Sequence, residues 1–126
     1  MTRPRRRIAA ALAAACAIAP AVTQAEYLLR PGAVLQGLDK ITARVSELEI
    51  VNGEAADFHG LKILVRACNV RPPEEPPEAA AFIEIQEGPG DNGPELFRGW
   101  MFASSPAVSA FEHPVYDVRV LRCLTP

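Results

Sequence analysis

Glu112, His113 and Asp117 stand close together near the end of the chain, and two carboxylates around an imidazole could hold a divalent ion or relay a proton. The other histidine, His59, precedes a glycine and is far away in sequence. Neither histidine has cysteines or carboxylates at the spacing of a metal motif, so a solvated turn and a helix end are the plainer account of both. Ser104, Ser105 and Ser109 lie upstream of His113 and raise the chemistry of a nucleophile and its base. No Gly-x-Ser-x-Gly elbow surrounds them, and Ser105-Pro106 has the form of a helical cap followed by proline at the first helical position. The glycines from Gly88 to Gly93 alternate with prolines and open no helix, which excludes a phosphate loop. Asp91-Asn92-Gly93 matches a fragment of a calcium loop whose remaining ligand positions are absent. On these residues the chain has no catalytic set and no cofactor site, with Glu112, His113 and Asp117 as the alternative for a metal-dependent or hydrolytic enzyme.

Recognition chemistry is better represented. Phe97, Trp100, Met101 and Phe102 crowd one short segment, and Phe111 and Tyr116 follow. In a small domain most large rings belong to the core, because each removes much apolar area from water. Leu96 to Ala103 is nevertheless apolar on both faces apart from Arg98. It should be a central strand, or a strand whose outer face something else covers. An uncovered patch would mark a contact surface, for which the candidates are Arg98, Trp100, Phe102, Ser104, Ser105 and Tyr116.

The elements that must position these residues are mostly strands. Ile41, Ala43 and Val45 alternate with Thr42, Arg44 and Ser46, and a parity change before Leu48 and Ile50 implies a bulge or break near Ser46-Glu47. A helix over Leu38 to Leu48 is the competing assignment. Asn52-Gly53 and His59-Gly60 are turn signals. Leu61, Ile63, Val65 and Ala67 form the clearest strand. Ala81, Ile83 and Ile85 form the next, after a stiff Pro-rich connector from Arg71 to Glu78. Gly88 to Pro94 is a long turn, and Val115 to Cys123 is the last strand. Six or so short strands predict an all-β fold, a small sandwich or partly open barrel, with one short helical turn at Ser105-Pro106.

The first residues form an address. Arg3, Arg5, Arg6 and Arg7 precede an apolar run from Ile8 to Ile18, and Thr23-Gln24-Ala25 follows Pro20, the pattern of a signal peptide cut after Ala25. The run is too short to cross a bilayer as a helix, and no transmembrane helix is expected after cleavage. Lipidation at Cys16 is the alternative, although Leu12 stands one place too early for the usual box. Residues 26–126 then form a single β-rich domain, periplasmic or secreted, with nine basic and fifteen acidic residues and a formal charge of −6. That balance excludes nucleic acid as a partner. In an oxidising compartment the remaining pair, Cys68 and Cys123, should form a disulfide. By simple alternation, however, both cysteines fall on the less apolar faces of their strands, a tension the spacing leaves open.

Gly37-Leu38-Asp39-Lys40-Ile41-Thr42-Ala43-Arg44, the stretch from Cys68 to Glu78, Gly99-Trp100-Met101-Phe102-Ala103-Ser104-Ser105-Pro106 and Glu112-His113-Pro114-Val115-Tyr116-Asp117 resemble domain-of-unknown-function family 2155. The resemblance covers nearly all of residues 26–126. It implies an exported envelope protein of the kind found mainly in alphaproteobacteria, and it brings no activity, ligand or catalytic residue. Sequence and resemblance together point to a non-catalytic module contacting an envelope protein or cell-wall component. A structural subunit of an envelope assembly is the third alternative.

Overall fold

The computed structural model describes residues 2, 13–18 and 27–126. The basic start, Pro20 and the cleavage position after Ala25 lie outside the described residues, while Cys16 is a free, exposed cysteine. Eight strands follow in chain order: β1 (Leu28–Arg30), β2 (Gly32–Asp39), β3 (Arg44–Val51), β4 (Ala55–Phe58), β5 (Leu61–Val70), β6 (Ala79–Glu87), β7 (Glu95–Phe102) and β8 (Tyr116–Cys123). A single 3-10 turn, Pro106–Val108, interrupts the segment between β7 and β8. Among the described residues no helix is long and apolar enough to cross a membrane.

All pairings are antiparallel, and they build two sheets. The larger runs β1-β5-β6-β7, with β4 also paired to β5; the smaller runs β3-β2-β8. Packed face to face, with β8 against β6 and β2 against β5, they make a sandwich. Leu35, Ile63, Val65, Ile83 and Ile85 are wholly buried between them. Each such side chain contributes about 1.5–3 kcal/mol of burial relative to exposure. Among the described residues the fold is thus all-β with one helical turn, and it has eight strands where six or so were expected.

Of the alternating residues, Ile41 and Ala43 lie in the hairpin turn between β2 and β3, while Val45 lies in β3 with its side chain exposed. Asp39 Oδ1 accepts hydrogen bonds from the amides of Ile41 (2.9 Å) and Thr42 (3.2 Å). Ala43 completes the reversal at φ 56°, and Ile41 is left 76 % exposed. A carboxylate that bonds its own downstream amides favours a turn over strand or helix. The parity seen at Leu48 and Ile50 is simply that of β3, which begins at Arg44. Asn52-Gly53 does turn the chain, with Gly53 at φ 85°, but it carries the chain from the small sheet to the large one. His59-Gly60 closes the β4–β5 hairpin with both residues at positive φ (50° and 81°).

Two bulges resolve the tension over the cysteines. On β5, Val65 pairs with Ile83 and Ala67 with Phe82, so Arg66 is an extra residue. On β8, Val120 pairs with Leu35 and Arg122 with Val34, so Leu121 is extra. Each insertion reverses the alternation beyond it, and both cysteines swing into the core. There Cys68 and Cys123 are joined across the two sheets, with Cα atoms 5.7 Å apart.

Candidate functional site

β7 is an edge strand, not a central one. Its residues alternate as a half-buried strand requires. Phe97 and Met101 turn toward the core, while Arg98, Trp100 and Phe102 share the outer face of the large sheet. Phe82 on β6 stands opposite Trp100, their rings meeting edge to face at 5.5 Å and 77°. Ala80 stands opposite Phe102, and Asn69 on β5 lies opposite both Ala80 and Leu29. The result is an aromatic half of the sheet face that no part of the described chain covers. Trp100 is 39 % exposed, Tyr27 48 % and Leu29 80 %. Tyr27, Asn69, Ala80, Trp100 and Phe102 outline a shallow depression of about 360 Å³. Asn69 Oδ1, beneath it, is buried without a hydrogen-bond partner.

The other half of the same face is charged. Glu84 on β6 is held between two guanidiniums, Arg66 at 3.2 Å and Arg98 at 3.0 Å, and Arg98 also reaches Glu95 at 3.3 Å. Lys62 pairs with Asp91, and this bond holds the Asp91 carboxyl below its ordinary value. Arg98 therefore marks the border between an ionic ladder and an aromatic patch.

Ser104 and Ser105 sit at the corner where β7 ends. The Ser104 amide and hydroxyl both donate to Glu78, whose carboxylate also accepts from the Ala79 amide at 3.0 Å. Partial burial pushes the Glu78 carboxyl up, but the bonds from Ser104 and Ala79 outweigh it and leave the group below its ordinary value. The serine ties the Pro-rich connector to the end of β7. Ser105 occupies the cap position of the 3-10 turn without a side-chain capping bond, contrary to the expected cap. Its hydroxyl lies 3.5 Å from that of Ser104.

Tyr116 lies apart from this face. Its ring stacks between the two histidines, with centroids 5.3 Å from His59 (6° between planes) and 5.3 Å from His113 (27°). Phe111 continues the stack beyond His113 at 5.8 Å, and Phe58 meets Tyr116 edge-on at 5.6 Å. His113 Nδ1 accepts from the amides of Val115 (3.1 Å) and Tyr116 (3.2 Å), which closes the turn into β8. Asp117 pairs with Lys40 at 2.9 Å, Lys40 donates to the His113 carbonyl at 2.9 Å, and Glu112 is exposed. Among the described residues no group of three His, Cys, Asp or Glu side chains is placed to hold a metal ion.

Residues 33–123 match the family model described as "Uncharacterized protein conserved in bacteria (DUF2155)". The chain belongs to domain-of-unknown-function family 2155. It is also similar to "Uncharacterized protein RP359" of Rickettsia prowazekii (strain Madrid E), with 32 % identity over 105 residues that cover 81 % of this chain. The chain spans 66 % of that relative's length. No solved structure matches it.

The family 2155 segment runs from Ala33 in β2 to Cys123 in β8, so it contains both bulged cysteines, Phe82, Trp100 and Phe102, whereas Tyr27 and Leu29 precede it. Of the six contact candidates, the fold brings Arg98, Trp100 and Phe102 onto one face and sets Ser104 and Ser105 at its end. Tyr116 belongs to a separate aromatic column. Phe82, Asn69, Tyr27 and Leu29 are members of the face that the linear sequence did not single out. The signal for Phe82 was present, since it stands opposite Ile83 and Ile85 in parity. Which strand would lie beside it depends on sheet order, and no local spacing encodes that.

Proposed function

We propose that this family 2155 protein is an exported, non-catalytic contact module of the cell envelope. On this reading the outer face of its larger sheet, around Trp100, is the surface that meets a protein or wall component. The observation that carries the reading is the uncovered aromatic half-face of Tyr27, Leu29, Phe82, Trp100 and Phe102 beside the Arg98–Glu84–Arg66 ladder. Contiguous exposed apolar surface rimmed by charge is a mark of interaction sites, and aromatic and Arg side chains are the usual anchors within them. The leader of Arg residues and apolar run, with a cystine in the domain, supports export.

Two measurements test this. Amino-terminal sequencing of the protein from cell fractions should find a chain beginning at Glu26 outside the cytoplasm; a chain retaining Arg3 in the cytoplasm overturns export. Co-sedimentation with envelope fragments should fall on Trp100→Ala and persist on Val45→Ala, whose side chain is exposed on the other sheet. Equal co-sedimentation of the two folded variants overturns the assigned surface.

A further inference from the structure

The sandwich is open at the end where its cystine lies, and a depression of about 500 Å³ sits there beside Cys123. Val70 from β5, Ala79 from β6 and Ala103 after β7 line it from the large sheet. Leu121 of β8 and Leu124 just beyond it line the other side. Val70, Ala103, Leu121 and Leu124 are only half-buried, so this apolar surface is within reach of a ligand. The short side chains of Ala79 and Ala103 leave room for a small aliphatic group and not for a large ring.

One guanidinium enters this space from within the sandwich. Arg30 stands directly opposite Cys68 in the pairing of β1 with β5, and directly paired residues share a face. Cys68 is a core residue bonded to the other sheet, so Arg30 also points between the sheets, and it lines the depression. Its backbone is fixed by Asn52, whose Nδ2 donates to the Arg30 carbonyl at 2.8 Å. Arg71, at the end of β5, lines the same depression and acts on the Glu78 carboxylate. Arg122 contributes no head-group contact. It stands opposite Val34, whose neighbours Ala33 and Leu35 face the core, so its side chain lies on the outer face of the small sheet, 3.7 Å from Glu47.

Among the described residues neither Arg30 nor Arg71 has a carboxylate within ion-pair distance. Arg71 and Glu78 offset each other at longer range, which leaves the half-buried Arg30 as the one net charge of the depression. A guanidinium fork matches a carboxylate in charge and in geometry. The Glu78 carboxylate disfavours a doubly charged phosphate at the same place. A carboxylate fork beside a seat for a small aliphatic group is the complement of the last residue of a peptide.

We propose that this end cleft captures the free α-carboxylate of a peptide ending in a small aliphatic residue, the carboxylate on Arg30 and the terminal side chain against Val70, Ala79 and Ala103. The cleft shares no lining residue with the aromatic depression around Trp100, so its success or failure leaves that face open to its own test.

The experiment is NMR titration of the purified full chain with acetyl-alanyl-alanine and with its carboxamide, in the L and in the D series. The free acid of at least one series should bind saturably at one per chain and about tenfold more tightly than its amide, because only the acid carries the charge that the guanidinium matches. The series that binds separates a protein terminus from a wall peptide as the source. Methyl signals of Val70, Ala79, Ala103 and Leu124 should shift while that of Val45 stays in place. Arg30→Gln should weaken the acid by about tenfold and leave the amide unchanged. Arg119→Gln removes an exposed guanidinium that donates to Gln36 on the outer face of the small sheet, and it should change neither. No saturable binding of either acid, equal affinity for acid and amide, or shifts centred on Leu29 would overturn the proposal, and the wild-type titrations decide this even if a variant fails to fold.

Discussion

Cys68 and Cys123 are bonded through the middle of the sandwich, and each reaches that position because an extra residue two places before it, Arg66 or Leu121, reverses the alternation of its strand. The bulges and the cystine are one device. Without the first the second cannot form, since alternation alone points both thiols away from the core. The bridge closes 55 residues of sequence separation, for which the chain-entropy model gives about 4 kcal/mol of stabilisation.

Removing Leu121 by deletion should therefore do more than shorten β8. It restores simple alternation, turns Cys123 outward and separates the two thiols. Thiol titration under denaturing conditions should read two more free groups than in the wild-type protein. Reducing the wild-type bridge should cost about 2–5 kcal/mol in urea unfolding.

Gly37 on β2 makes room for a ring. A Cβ built there would lie 2.6 Å from the Phe58 ring carbons, and Phe58 is 4 % exposed under the small sheet. Gly37→Ala should lower stability by about 1–3 kcal/mol through overpacking. In the Phe58→Leu background the same change should cost less, and a double-mutant cycle by chemical denaturation measures that coupling.

Glu78 links pH to the β7 corner. Its folded carboxyl is held below the ordinary 4.5 by Ser104 and Ala79 against the upward push of burial. The sign follows from linkage: a depressed acid stabilises the fold above its unfolded value, and that share is lost as pH falls through the folded one. Glu78→Gln should lower the thermal midpoint at neutral pH. The difference from wild type should shrink steadily below about pH 4. A difference that stays constant with pH contradicts the assignment.

His113 is structural in its present contacts. Its Nδ1 accepts two amides at the entry to β8, and its ring stacks on Tyr116. His113→Ala should cost about 1–3 kcal/mol for the amides left without an acceptor. His113→Asn, which can accept from downstream amides as Asx turns do, should recover part of that loss. Urea titrations of both variants check the order.

Much of the fold was legible because burial and alternation coincide. Ile63 and Val65, then Ile83 and Ile85, mark the two central strands of the large sheet by period alone. The chain misleads where a local bond outweighs that period, as at Asp39, whose carboxylate closes a turn inside an apparently alternating run. It misleads again at Arg66 and Leu121, because a bulge is visible only against its partner strand. Trp100 and Phe102 could be picked as surface candidates from crowding. Their neighbours Phe82, Asn69 and Tyr27 could not, since pairing across β1, β5, β6 and β7 brings them together. The stacking of His59 and His113 on Tyr116 has the same origin, as it joins the β4–β5 turn to the start of β8.

On the proposed function, the aromatic half-face is where this protein would meet a neighbour in the envelope. A photoreactive amino acid placed at Leu29, 80 % exposed on that face, and in a separate strain at Val45, 57 % exposed on the other sheet, tests it in living cells without removing any core contact. Illumination should yield a discrete heavier adduct from position 29 and none from position 45. Adducts of equal yield from both positions, or none from position 29, would contradict it.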